Sequence, residues 1–216
     1  NKSMSSAKEN IMARLRAAQE KRGEIKADQP DFASPVYHPL NESLSVEFKT
    51  NLELIGGKVI LCQTKQEIAG IVQSICAEKK QDNIFCKDPA LRNLLSGPVQ
   101  IDSDEDSFRQ VNIGVTGCEF LVAHLGSVLV SSAQVSGRRL NVFPENHIVL
   151  AHQAQITGYL DDALEKIRNK YKNKLPSLIS NITGPSRTAD IEKTLVMGMH
   201  GPKSLIVIIS EEQFND

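Results

Sequence analysis

The chain has 216 residues, 40% of them hydrophobic, with 25 Lys and Arg against 26 Asp and Glu and a formal net charge of -1. That length builds one substantial core more readily than two full domains, and a charge so near zero gives no long-range field to attract nucleic acid or an anionic membrane. No apolar run approaches the roughly 20 residues that span a bilayer, and the opening "NKSMSSAKENIMARLRAAQEKR" has no apolar signal core, so the expectation is a cytoplasmic protein without membrane insertion, with Met4 read as its natural start.

Residues 5 to 20 read as an amphipathic helix, with Ile11, Leu15 and Ala18 at spacings of four and three. "GEIKADQPDFASPVYHPL" follows as a proline-containing tether, making the first segment a helical arm. From 42 to 55, Leu44, Phe48, Leu52 and Ile55 share one helical face, closed by Gly56 and Gly57. "KVILCQ" is a short buried strand, and Thr64 to Glu67 has the capping-box pattern that opens a helix through about Glu78. "NIFC" is a strand and "DPALRNLL" a short helix with Pro89 in its first turn. This alternation of strand and helix points to a parallel α/β layer.

Residues 111 to 132 change character, with β-branched residues and Gly114, Gly117 and Gly126 predicting two or three strands joined by tight turns. A turn at Pro144 and Glu145 precedes a strand from His147 to Ala151. "DDALEKIRNKYKNKL" is read as a helix with the stripe Leu160, Leu164, Ile167, Tyr171 and Leu175; Asp161 and Asp162 suit its positive end, Lys172 and Lys174 its negative end. "SLISNIT", a polar corner, a short helix to Gly198 and the strand 204 to 210 complete the chain. The expected fold is α/β: a largely parallel central sheet flanked by helices, a small β-rich insertion in the middle, and the N-terminal arm. Residues 1–40 form the arm and tether, and 41–212 a single domain.

The corner "ITGPSRTAD" concentrates small, polar and charged groups where a helix is expected to begin. Unpaired backbone N–H groups at such a terminus attract an anion. Gly184 allows close approach, Ser186 and Thr188 offer hydroxyls, and Arg187 offers a planar fork for a carboxylate or phosphate. Asp190 would complement the helix dipole, compete with an anion or act as an acid–base group. The alternative is purely structural: Thr188 as cap and Arg187 paired with Asp190 or Glu192.

The run "GPSRTADIEKTLVMGMHGP", preceded in order by "GVTGCEFLVAHLGSVLVSS" and "FPENHIVLAH", resembles the LUD-domain family, the lactate utilisation protein C group of bacteria, over roughly residues 40 to 210. The resemblance implies a fold like that of ribose-5-phosphate isomerase, glucosamine-6-phosphate deaminase and the coenzyme A transferases. It also implies a part in oxidising lactate to pyruvate beside iron–sulfur proteins. Relatives have a Thr-Gly-Ser or Thr-Gly-Thr turn where this chain reads Ala123-His124-Leu125-Gly126-Ser127; Gly126 and Ser127 match the pattern and are expected at a substrate site, while His124 and Leu125 depart from it.

Glu119 interrupts an apolar strand, so it either faces solvent or is a partly buried carboxylate with a raised pKa suited to acid–base work. His147 is a candidate acid, base or ligand, or else a hydrogen-bonded residue at a strand start. His200 and Gly201 belong to a turn expected beside the corner. His124, His147 and His200 have no metal-ligand spacing, and no metal is expected. Cys62, Cys76, Cys86 and Cys118 include no C-x-x-C pair, so no cluster or other cofactor is expected on this chain. Arg138 and Arg139 lie in a loop that either closes over an anion or is solvated surface. Two functions follow: a lactate-oxidation component acting with iron–sulfur proteins and binding a small carboxylate or phosphate, and a free-standing enzyme on a small anionic metabolite held at 184 to 190. Either leaves an oligomer possible.

Overall fold

A computed structural model describes residues 7–22, 34, 37, 39–172, 174–189 and 195–214. The chain divides between Pro39 and Leu40 into two compact units. The first contributes α1 (Ala7–Arg22).

The second unit is built on a six-stranded sheet of β1 (Lys58–Cys62), β2 (Asn83–Phe85), β3 (Gln100–Asp102), β4 (Ile113–Thr116), β7 (Asn146–His152) and β12 (Ser204–Ser210). Its order is β1-β12-β7-β4-β2-β3, and every pairing is parallel. β12, "SLIVIIS", is a continuous apolar run because both of its faces are covered. Ile148, Leu150, Ile206 and Ile208 pack with Ile68, Val72 and Ile75 of α3 (Glu67–Lys79) and Leu91 of α4 (Pro89–Leu94). The alternate residues Val149, Ala151, Val207 and Ile209 meet Phe48 and Leu52 of α2 (Leu44–Leu54) and a second sheet.

That second sheet has the order β8-β5-β6-β9, from β5 (Phe120–Val122), β6 (Ser127–Ser131), β8 (Ile156–Thr157) and β9 (Ile179–Ile182). β6 pairs antiparallel with β5 and β9, and β8 runs parallel to β5. Its far face, Val122 and Leu129, rests on Ala163 and Ile167 of α5 (Leu160–Tyr171). The layers therefore run α3 and α4, parallel sheet, α2 with the small sheet, and α5. The small sheet takes β5 and β6 from the expected β-rich middle and adds β8 and β9 from residues 156–157 and 179–182, while residues 113–116 of that middle join the parallel sheet as β4.

Local signals act at two helix starts, as a full side-chain cap at α4 and as half of the expected capping box at α3, whose first turn has no side-chain cap hydrogen bond. Asp88 accepts a hydrogen bond from Ala90 N (2.9 Å) ahead of Pro89, and Glu67 accepts from Thr64 N (2.9 Å). Two expectations are corrected. Where a helix was expected after the corner, the described residues form an antiparallel pair, β10 (Arg187–Ala189) with β11 (Leu195–Met197), so the amides of those residues belong to a strand ladder and not to a helix terminus. α5 ends at Tyr171, where Lys172 turns to φ 46°, and Leu175 lies beyond it, because the chain must return for Ser132 N to donate to Leu178 O and for β9 to pair with β6. No helix among the described residues is long and apolar enough to cross a membrane.

Candidate functional site

The residues singled out from the sequence fall into four places. At the amino ends of β7 and β12, the corner meets the turns before those strands. Ser186 N donates to Pro202 O (2.8 Å), Gly198 N to Ser186 O (3.0 Å) and Lys203 N to Glu145 O (2.7 Å), while Lys203 Nζ lies 2.6 Å from Glu145 Oε1. A Cβ on Gly201 would stand 3.3 Å from Ser186 Cβ, so the two turns are in close contact. Gly184 takes φ +84° beside Ile55 O, and the Arg187 guanidinium donates to that same carbonyl at the end of α2. Thr188 sits in the β10 ladder opposite Val196. Beside this junction lies a cavity of about 250 Å³, walled by Val142, Phe143, Pro144, Met199, His200 and Lys203. Asp190 lies outside the described residues.

His147 stands one residue inside β7, fully buried, with Nε2 2.8 Å from Thr116 Oγ1 and Nδ1 without a partner. Burial pushes its pKa down to about 4, so the imidazole is neutral at pH 7. Gly126 and Ser127 lie elsewhere, under α2. Asn51 Nδ2 donates to Ala123 O (2.8 Å) and His124 O (3.3 Å), and a Cβ on Gly126 would collide with the backbone of Asn51 and Leu52. Ser127 is wholly buried with its Oγ unpartnered. This turn is thus packed against a helix, and Leu125 joins the cluster against α5.

Glu119 does not face solvent, nor is its pKa raised. Its carboxylate is buried, accepting from Ser131 Oγ (2.6 Å) and Tyr171 OH (2.7 Å) on Oε1 and from Lys170 Nζ (2.8 Å) on Oε2. Burial pushes the carboxyl up, but the bonds from Lys170, Ser131 and Tyr171 together outweigh it and hold the group below the ordinary carboxylate range. Lys170 and Tyr171 were missed in the sequence because Tyr171 read as part of the apolar stripe of an ordinary helix and Lys170 as one of its solvated charges. Arg138 and Arg139 are engaged with their surroundings: Arg138 donates to Ser177 Oγ, and Arg139 lies 4.2 Å from the Phe108 ring centre and 3.5 Å from Glu105 Oε2.

The sequence reading also passed over the carboxyl ends of the parallel strands, where open α/β sheets hold their ligands. There Gly117 and Cys118 follow β4, His152 ends β7, and Gln213 and Phe214 follow β12, around a cavity of about 270 Å³. Lys170, Gln134, Gln155 and Asp88 add further polar groups to its wall, and Ala90, Leu91 and Leu150 apolar ones. Gln155 is a fixed part of it, donating to Cys118 O (2.8 Å) and accepting from His152 N (3.0 Å). The signal available was positional, a strand ending in His152 with Gln155 three residues on.

The four cysteines are free and buried. Burial pushes all four thiols up, Cys86 to about 11, so they stay protonated at neutral pH. Among the described residues, no three His, Cys, Asp or Glu side chains converge to hold a metal ion.

The family model of the LUD domain matches residues 93–210. Lactate utilization protein C of Bacillus subtilis (strain 168) is 34% identical over 116 residues, 51% of this chain and 48% of that protein. Lactate utilization protein C of Geobacillus sp. (strain WCH70) is 27% identical over 179 residues, 79% of this chain and 71% of that protein. The chain spans about half the length of the first of these relatives. A crystal structure of a DUF162 family protein from Deinococcus radiodurans superposes with a TM-score of 0.60 at 17% identity, covering 80% of this chain and 99% of that one, and so shares the fold. The three motifs quoted above, 114–132, 143–152 and 184–202, lie wholly within the matched region, and the chain belongs to the LUD domain family.

Proposed function

We propose that this protein takes part in lactate utilisation, as a cytoplasmic component that carries no redox cluster of its own and acts beside iron–sulfur proteins that move the electrons. The similarity to proteins named Lactate utilization protein C carries the reading. The thiol chemistry supports the division of labour: soft thiolate ligands are what a cluster requires, and these four cysteines are buried, protonated and dispersed through the core. The reading in which a free-standing enzyme grips an anion at 184 to 190 has less support, since the described residues of the corner form no helix terminus and Arg187 is turned onto Ile55 O.

Deletion of the gene in its host tests the role. Growth on lactate should stop, growth on pyruvate should continue, and the plasmid-borne gene should restore the first. Undiminished growth on lactate removes the proposal. Affinity purification of the tagged chain from lactate-grown cells should bring down proteins containing iron and acid-labile sulfide; their absence removes the iron–sulfur part alone.

A further inference from the structure

We propose that the cavity at the carboxyl ends of β4 and β7 binds a small monocarboxylate bearing an oxygen on the adjacent carbon, with the Lys170 ammonium taking the carboxylate. The choice of lactate and pyruvate as probes rests on the role proposed above; the site itself rests on its geometry.

The space is ample, since about 270 Å³ far exceeds the roughly 10–15 Å³ that admits one water. Lys170 is the cationic group of its wall. One of its three ammonium protons is committed to Glu119 Oε2, and that buried carboxylate, fixed by Ser131 and Tyr171, holds the lysine in place and charged. The bond also leaves Lys170 more than half exposed, so its remaining protons are open to an incoming anion. A charge held in position by a buried partner binds with less loss of side-chain freedom than a free surface lysine.

The other walls suit a neutral oxygen. Gln134 spends its Oε1 on Ser131 N (3.0 Å), which leaves its amide donors for the cavity, and its Nε2 lies 3.9 Å from where a Cβ on Gly117 would stand. Burial keeps the His152 imidazole neutral, with its ring edge-on to Phe214 at 5.8 Å. Asp88 is the one acidic group of the wall, and its Oδ1 already accepts from Ala90 N. Lys170 is thus a single positive point, set against one carboxylate already hydrogen-bonded to Ala90 N, which suits one small carboxylate rather than the several cations a polyanion requires. Gly117 keeps the floor open: a Cβ there touches only Gln134, Leu91 and Leu150 O at 3.9–4.0 Å, so a side chain is accommodated but fills the space.

Calorimetric titration of the purified chain at neutral pH with L-lactate, pyruvate, glyoxylate, 2-hydroxybutyrate, lactamide and inorganic phosphate tests this. The carboxylates should bind and lactamide should not. Gly117→Val should abolish binding while the protein still melts cooperatively. The paired change Lys170→Met with Glu119→Gln, which leaves no buried carboxylate unpaired, should weaken binding at least about tenfold, equivalent to roughly 1.4 kcal/mol. Undiminished binding in both variants overturns the site, as does the absence of binding by any carboxylate. Phosphate binding as tightly as lactate overturns the carboxylate assignment. Binding of glyoxylate or 2-hydroxybutyrate without lactate or pyruvate upholds the site and counts against the lactate role, which the growth experiment judges separately.

Discussion

Two buried ionisable residues of this protein behave in opposite ways for one physical reason. A buried charge survives only where hydrogen bonds replace its hydration. Glu119 has three donors and stays ionised; His147 has one neighbouring hydroxyl and stays neutral. A pH dependence follows for His147. Its pKa in the folded chain, about 4, lies below the ordinary 6.5, so the unfolded chain binds more protons between those values and stability falls as pH drops from 6.5 toward 4. Urea unfolding should show a loss of about 2 kcal/mol between pH 6.5 and 5. His147→Asn should flatten that slope; an unchanged slope would assign it to other groups. The depressed Glu119 carboxyl adds its own loss only below about pH 4.5, the ordinary value, as pH falls through the folded-state pKa. Neither environment was legible from sequence, where Glu119 had only its apolar neighbours and Ser131, Lys170 and Tyr171 were distant in the chain.

Among elements, those with a long periodic pattern or a cap were legible. α3 and α4 begin where Glu67 and Asp88 place them, and β12 coincides with its apolar run. The β10–β11 pair was not legible, because "TADIEKTLVMG" carries Ile191 and Leu195 four apart, a helical spacing. Over so short a stretch local propensity is worth a few tenths of a kcal/mol per residue, and the pairing of Arg187 to Ala189 with Leu195 to Met197 decides. α2 shows how two elements fix one residue. It passes so close to the turn at Ala123–Leu125 that only glycine fits at 126, where φ is also +58°. Gly126→Ala should cost more than about 2 kcal/mol, through both the left-handed backbone and the collision with α2. Asn51→Ala, which removes only its bonds to Ala123 O and His124 O, should cost about 1 kcal/mol. Urea midpoints at constant m-value would rank the two, and a neutral Gly126→Ala would mean that α2 moves away readily.

For the whole molecule, the parallel sheet separates two chemical regions. Two of the family motifs, 143–152 and 184–202, meet at its amino edge through Ser186, Glu145 and Lys203, while the lysine-bearing cavity, which takes Gly117 and Cys118 from the third, opens at its carboxyl edge. The second unit contains both core layers and both edges, and the Deinococcus radiodurans structure matches 80% of this chain with 99% of its own. A chain of residues 40–216 should therefore fold by itself, with a cooperative thermal transition and a near-ultraviolet signature of fixed aromatic packing around Phe85 and Phe108. A broad, non-cooperative melt would show that residues before Leu40 are needed.

Composition, periodicity and caps determined the α/β class, the existence of most helices and strands, and the resemblance to the family, because each depends on residues close together in the chain. Tertiary structure alone decided that residues 187–189 and 195–197 pair as strands, that Glu119 is ion-paired with a helix end, and that an open cavity lies beside Lys170. Each of these depends on groups far apart in sequence: Ile55 with Arg187, Glu119 with Lys170 and Tyr171, Gly117 with Gln134 and His152. Only the packing of the two sheets against α2 and α5 brings such groups within hydrogen-bonding or van der Waals distance.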